Sequence, residues 1–394
     1  MRTTTMALIG PLTMLAAMMA GPAAAEPSDD SAAPLTAGGS HTCGLARDAK
    51  AYCWGYGGYG QLGNGGTSDR AHPVAVDAPA GVAFTHLTAG GDHTCGLARD
   101  GKAYCWGQGD KGRLGDSGVA DQVRPVAVHA PTGVAFTQLT AGDDHTCGLA
   151  RDGKAYCWGR GDYGRLGNSG VADQSKPVAV HAPTGVAFTQ LTAGGHHTCG
   201  VARDGKAYCW GRGAYGLLGI DNVVAYRSTP VAVHAPAGMV FVHLTAGDAH
   251  TCGLGNDTKA YCWGEGASGA LGDGGTANRL KPVAVDVPVG VTFTRLAAGE
   301  AHTCGLGGDA RTYCWGDGYH GRLGNSSDAI QSRPVAVDTP AGVTFTRLAA
   351  GDVHTCALGD DTKTYCWGYG YHGRLGNSSV ANQPTPVAVI APGE

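Results

Sequence analysis

A histidine two positions ahead of a cysteine, with a second cysteine ten residues beyond the first, is a set of groups that a metal ion, a redox couple or a stapled hairpin could use. The stretch GGDHTCGLARDGKAYCWGQGDKGRLGD, residues 90–116, carries such a set at His93, Cys95 and Cys105. Zinc accepts His and Cys together, but its structural sites space paired cysteines as C-x2-4-C, not C-x9-C. Thiol redox centres use C-x-x-C. No G-x-S-x-G, H-E-x-x-H or phosphate-loop motif is present. Glu occurs only at Glu26, Glu265, Glu300 and Glu394, so no pair of Glu acid/base groups stands out. Gly107–Gly112 reads G-x-G-x-x-G, yet it follows a strand and opens no helix, which argues against nucleotide binding. The expectation is a non-enzyme with no catalytic residue, metal or cofactor.

The phrase is written seven times. Its histidines are His41, His93, His145, His197, His250, His302 and His354, at steps of 52 residues with one of 53. The cysteine pairs are Cys43 with Cys53, Cys95 with Cys105, Cys147 with Cys157, Cys199 with Cys209, Cys252 with Cys262, Cys304 with Cys314 and Cys356 with Cys366. That uses all 14, and Trp-Gly follows each pair. P-V-A-V recurs seven times, from Pro73–Val76 to Pro386–Val389. A fixed period of this size marks a repeat architecture. One period holds four short strand candidates, such as Phe136–Ala141, His145–Ala150, Ala155–Gly159 and Pro177–Val180, separated by Gly, Pro, Asn and Asp. This predicts an all-β fold: a seven-bladed β-propeller with about four short strands and one intra-blade disulfide per blade. It spans 35–394 as a single domain, with repeats starting near 35, 87, 139, 191, 244, 296 and 348. An open β-solenoid is the alternative. Much of the 43% hydrophobic content is Ala and Val, so the blades must bury themselves against each other. The formal net charge of −4 and the lack of a basic run argue against nucleic acid as a partner.

Arg2, the apolar run after it and Ala23-Ala24-Ala25 read as a signal peptide over 1–25, with 26–34 a polar leader. The expected location is secreted, periplasmic or cell envelope, with no membrane span after signal removal. An oxidising compartment permits disulfides, and hairpin geometry selects the pairing. A three-residue Arg99-Asp100-Gly101 loop, with Gly at its left-handed position, sets Cys95 directly opposite Cys105; a two-residue turn would set Cys95 against Trp106. Opposed residues at a non-hydrogen-bonded site lie about 4.5 Å apart at Cα, within reach of a disulfide. The repeated histidine then reads as a structural group bonded to a neighbouring backbone.

Repeat-to-repeat variation gathers in two loops. One holds the residue before each histidine: Ser40, Asp92, Asp144, His196, Ala249, Ala301 and Val353. The other follows Trp-Gly. In up-and-down blades both emerge on one face. From it we take Tyr56, Tyr59, Arg160, Tyr163, Arg212, Tyr215, Tyr319, His320, Tyr369, Tyr371 and His372 as partner-binding residues, since Tyr and Arg often anchor interfaces. Tyr226 joins them from the blade with one extra residue, where Ile220, Val223 and Val224 either form a contact patch or fold inward. The reading is a secreted binding propeller that recognises a protein, as an inhibitor or adhesion module; a lectin-like, carbohydrate-binding propeller is the alternative.

A-G-x-x-H-T-C-x-L followed by D-G-K-A-Y-C-W-G-x-G-x-x-G-x-L-G resembles the repeat of the regulator of chromosome condensation family, from about Leu35 to Val389. The resemblance implies a seven-bladed propeller. It also implies a range of activities: guanine-nucleotide exchange and chromatin binding in the eukaryotic namesake, and inhibition of β-lactamases by secreted bacterial relatives. Exchange activity is the less favoured, because the paired cysteines and the export signal depart from the namesake and no repeat outgrows its neighbours by more than one residue.

Overall fold

The hairpin inside each repeat is the local unit from which the ring is built. The structure, a computed structural model, describes Met1, residues 35–46 and residues 48–391. The signal peptide and leader read over 1–25 and 26–34 lie outside the described residues, Met1 aside. In the second blade the strands are Phe84–Ala89, His93–Ala98, Ala103–Gly107 and Gln122–Ala127, paired antiparallel in sequence order. The Ala98 amide donates to the Lys102 carbonyl and the Gly101 amide to that of Ala98, so the turn holds three residues. Cys95 then faces Cys105 and Leu97 faces Ala103, as the turn length dictates.

Every blade repeats this register, and every cysteine pair expected from the spacing is bridged. Cys43 is joined to Cys53, Cys95 to Cys105, Cys147 to Cys157 and Cys199 to Cys209. Cys252 is joined to Cys262, Cys304 to Cys314 and Cys356 to Cys366. The Cα atoms stand 4.1 Å apart in all seven, a little closer than the separation expected from strand geometry. No cysteine is free among the described residues.

Two features shape the hairpin's far end. Gly107 of Trp-Gly has φ +103°, and a Cβ there would lie 2.6 Å from the Asp92 carbonyl oxygen, so only glycine fits. At this point the third strand slips register against the fourth, between Cys105 and Gly107. Such a bulge increases the local twist.

Seven four-stranded sheets result, each an uninterrupted stretch of chain. Blade one opens with Leu35–Ala37 and blade seven ends with Gln383–Ala388, so the terminal strand completes its own blade. First strands touch first strands around the axis, including Leu35–Ala37 against Phe345–Ala350. The hydrophobic clusters lie between blades. Cys95, Leu97, Cys105 and Leu114 of blade two pack on Phe136, Leu139 and Trp158 of blade three. At the closure Cys356, Cys366 and Leu375 pack on Leu35 and Trp54. Burying a Leu- or Phe-sized side chain is worth about 1.5–3 kcal/mol, and here most of that gain needs the neighbouring blade. In blade four the extra segment divides. Ile220 and Val224 pack against the core, while Val223 stays exposed and Tyr226 stands 44% exposed.

The repeated histidine corrects the sequence reading, which gave it a backbone partner. Its Nε2 bonds the Thr hydroxyl of the next blade: His41–Thr94, His93–Thr146 and His145–Thr198 at 2.8 Å, His197–Thr251 at 2.7 Å, His250–Thr303 and His302–Thr355 at 2.8 Å. His354 returns to Thr42 at 2.7 Å and completes the circle. The Thr hydroxyl donates onward to a backbone carbonyl, as Thr198 does to Arg165 at 3.0 Å and Thr42 to Arg374 at 3.0 Å. A hydroxyl that gives its proton away must accept one, so the imidazole donates from Nε2 and its Nδ1 carries the lone pair. That Nδ1 has no partner in six of the seven rings, where it lies against the Ala-Gly backbone.

Burial holds these imidazoles neutral, with His41 and His197 lowered to about 3 and His250 to about 4 from 6.5. The unfolded chain takes up protons near pH 6.5 that the folded ring refuses, so their contribution is intact above pH 6.5 and is lost as pH falls towards 4. The unfolding midpoint should therefore drop steadily below pH 6.5, with the seven ring imidazoles still neutral by NMR at pH 5. Early protonation of these rings in the folded state would contradict the circle. Thr198→Val keeps the shape but strips His145 of its acceptor and the Arg165 carbonyl of its donor, and should cost about 2 kcal/mol in denaturant unfolding.

Candidate functional site

Because consecutive strands in each blade run antiparallel, the connection from first to second strand and that from third to fourth leave on one face. The hairpin turns and the blade-to-blade connections leave on the other. The loop after Trp-Gly closes with a short 3-10 turn in five blades, and its middle residue adopts a left-handed backbone: Lys111 (φ 60°), Tyr163 (60°), Tyr215 (59°), His320 (64°) and His372 (62°). A non-glycine residue pays roughly 1–2 kcal/mol to sit there. The ring thus holds bulky, polar-tipped side chains at loop apices where glycine would fit without strain.

Most of the residues taken as partner-binding converge. Tyr319, His320, Tyr369, Tyr371, His372, Tyr56 and Tyr59 form one continuous arc over blades six, seven and one. Successive ring centroids lie 3.9, 4.2, 5.9, 4.1, 4.6 and 5.9 Å apart. Tyr319 is 58% exposed and Tyr371 53%. Asp69 holds His372 Nδ1 at 2.6 Å, and Asn382 donates to His320 Nδ1 at 3.0 Å, so the arc is oriented from outside. A second group surrounds blades three and four. The Arg212 guanidinium lies 5.7 Å from the Tyr163 ring centre and 5.6 Å from that of Tyr215. Arg160 pairs with Asp144 at 3.1 Å and with Asp162 at 2.7 Å. Tyr226 begins the outermost strand opposite Arg212 in register and joins neither group through a ring contact among the described residues.

Two sets of functional residues escape the sequence reading. The first is one position before the variable residue it singled out. Gly39, Gly91, Asp143, Gly195, Asp248, Glu300 and Asp352 occupy equivalent places in the seven blades. Six of them, all but Gly91, line a small cavity of about 60 Å³ at the axial mouth of this face, room for a few waters. Acid and glycine share the position for steric reasons. A Cβ on Gly195 would fall 1.7 Å from Asp248 Oδ1 and 2.8 Å from Asp143 Oδ2, and one on Gly39 would fall 2.8 Å from Asp352 Oδ2. The carboxylates lean into the space the glycines leave. Asp248 Oδ1 is buried with no hydrogen-bond partner. Burial first, then the neighbouring Glu300 and Asp248, raises Asp352 to about 7. Burial and then Asp352 and Asp248 push Asp143 up, and burial does the same for Glu300.

The second set is the first variable residue of G-x-L-G. Arg113, Arg165, Arg322 and Arg374 are buried, and their Nη1 groups donate to the carbonyls of Asp143, Gly195, Asp352 and Gly39 at 3.1, 2.9, 3.2 and 3.0 Å. They support the rim of the mouth from beneath. An arginine at four of seven equivalent positions was the available clue.

Asp352 faces Glu300, Asp248, Asp92 and Arg374. Its carboxyl is raised in the folded ring, so its stabilising contribution is present below about pH 3.8 and disappears as pH rises through about 7. Asp352→Asn should therefore raise the unfolding midpoint at pH 7.5 and steepen the loss on acidification, as read from melts between pH 4 and 8. A variant less stable than the parent at pH 7.5 would refute the crowding.

The RCC1-like domain model matches this chain over residues 18–294 and 135–393. The chain is 30% identical over 358 residues to the ultraviolet-B receptor UVR8 of Arabidopsis thaliana, covering 91% of this chain and 81% of that protein. It is 30% identical over 361 residues to the E3 ubiquitin-protein ligase HERC2 of Homo sapiens, covering 91% of this chain and 7% of that protein. Among solved structures it is similar to yeast RCC1 (Prp20) bound to Kap60, with a TM-score of 0.80 and 21% identity over 98% of this chain and 92% of that one, a likeness of fold.

Proposed function

This chain belongs to the RCC1-like domain family, and from that premise we propose that it is an exported, non-enzymatic propeller that recognises a protein partner through the face carrying the aromatic arc. The observation that carries the reading is the continuous arc of Tyr319, His320, Tyr369, Tyr371, His372, Tyr56 and Tyr59 on that face, exposed at Tyr319 and Tyr371. Contiguous tyrosines anchor interfaces with little loss of side-chain freedom, and their loops are held from outside by Asp69 and Asn382. Relatives lend weight to a protein as partner. Yeast RCC1 is seen bound to Kap60, and Prp20p from Saccharomyces cerevisiae is described with binding properties to Gsp1p and histones. The reading of export rests on Arg2, the apolar run and Ala23–Ala25, together with bridges in all seven blades.

The test is capture of partners by the oxidised chain from residue 26, with the N-terminus of the exported protein sequenced and expected at Glu26. Changing Tyr163, Arg212 and Tyr319 together to Ala should abolish capture while leaving the melting curve within a few degrees. Changing Tyr163, Tyr215, His320 and His372 to Gly should abolish capture and raise the melting temperature. Undiminished capture by both variants would sink the choice of face.

A further inference from the structure

The aromatic arc and the axial mouth are one continuous surface. Arg374 donates to the Gly39 carbonyl at the rim and lies 5.0 Å from the ring centre of Tyr369 in the arc. Arg322 donates both to the Asp352 carbonyl at the rim, at 3.2 Å, and to the Tyr319 carbonyl, at 3.1 Å. Exposed tyrosine faces therefore stand beside a mouth lined by Asp143, Asp248, Glu300 and Asp352, with the arginines buried beneath its rim and Asp248 Oδ1 left without a donor. Glu300 has a cation at its edge, Arg322 at 3.8 Å, which it shares with Asp317 at 3.5 Å. We infer that this surface docks a basic loop of the protein partner, with a lysine or arginine side chain entering the axial mouth and a second cationic group or the loop's apolar stem laid on the tyrosines.

Three observations lead to a cationic occupant. Asp248 Oδ1 is buried without a donor, and an ammonium or guanidinium would supply one. The cavity admits the tip of a side chain rather than a whole loop. Tyrosine rings on this face already take guanidinium groups, since Arg212 lies between Tyr163 and Tyr215 and Arg374 lies against Tyr369. A cation over a tyrosine face is attracted by the ring's electron density, most strongly where water is displaced. The raised carboxyls point the same way, because mutual repulsion at the mouth is relieved by an incoming positive charge.

The inference rests on the protein-binding reading, and the test separates the two. Binding of octalysine and octaarginine peptides to the oxidised full ring is measured by calorimetry, with fully acetylated octalysine as the uncharged control. Both basic peptides should bind and the acetylated one should not. Asp248→Asn/Asp352→Asn and Tyr319→Ala/Tyr371→Ala should each weaken binding at least tenfold. Asp100→Asn/Asp152→Asn, the same charge change on the hairpin-turn face, should leave it unaltered. Equal weakening by the Asp100/Asp152 pair, or no binding of either basic peptide, overturns the inference. So does binding of a neutral oligosaccharide that needs the tyrosines but not the carboxylates. In any of these cases, loss of partner capture in the Tyr163/Arg212/Tyr319 variant would leave the protein-binding reading standing.

Discussion

The imidazole-to-hydroxyl bond from each blade to the next is the constraint on which the architecture depends. It is short, buried, directional and repeated until it meets itself at His354 and Thr42. A buried imidazole donor without an acceptor costs about as much as a lost buried hydrogen bond, so every blade needs a successor. In three interfaces a carbonyl shared beneath the Thr adds a further condition. Gln61, Ala270 and Arg322 each accept from both a Thr hydroxyl and a Trp Nε1 of the following blade. There two donors on one carbonyl hold the angle between neighbours, while the imidazole-to-hydroxyl bond, made at all seven interfaces, closes the ring.

The disulfides act on a different scale. Each spans only its own hairpin, so it constrains the unfolded chain locally, at about 2–3 kcal/mol apiece, and says nothing about the neighbour. Yet both sulfurs line the cluster into which the next blade's Phe and Trp are set, as Cys43 and Cys53 do beneath Phe84 and Trp106. The bridge thus forms part of the floor on which the next blade packs. Local covalent order and lateral hydrogen bonding divide the work of folding between them.

Much of this was legible in the sequence. The 52-residue step, the Cys register set by a three-residue turn and the grouping of variable loops on one face all follow from periodicity and hairpin geometry. The partner of the histidine was not legible, because the Thr that receives it sits beside the next repeat's own histidine, 53 or 54 positions away, where no local pattern links the two. The acidic mouth was missed for a related reason. Asp143, Asp248, Glu300 and Asp352 look like scattered surface acids until the ring brings equivalent positions together on the axis. Whether blade seven finishes itself was likewise a question of three-dimensional closure, answered by the pairing of Gln383–Ala388 with Thr364–Gly368 in its own sheet.

Every blade is a single uninterrupted segment, but the closing interface has less to work with than the other six. Blade one offers only Leu35–Ala37 as its first strand, and Trp54 packs there without the Phe that the other interfaces carry. The same His–Thr bond thus closes a thinner seam of the wheel. The order of the blades along the chain is set by peptide linkage. Blades could arise by tandem duplication while the apex of each loop diverged independently. A scaffold of this kind separates what must be identical, the flanks, from what is free to differ, the rim.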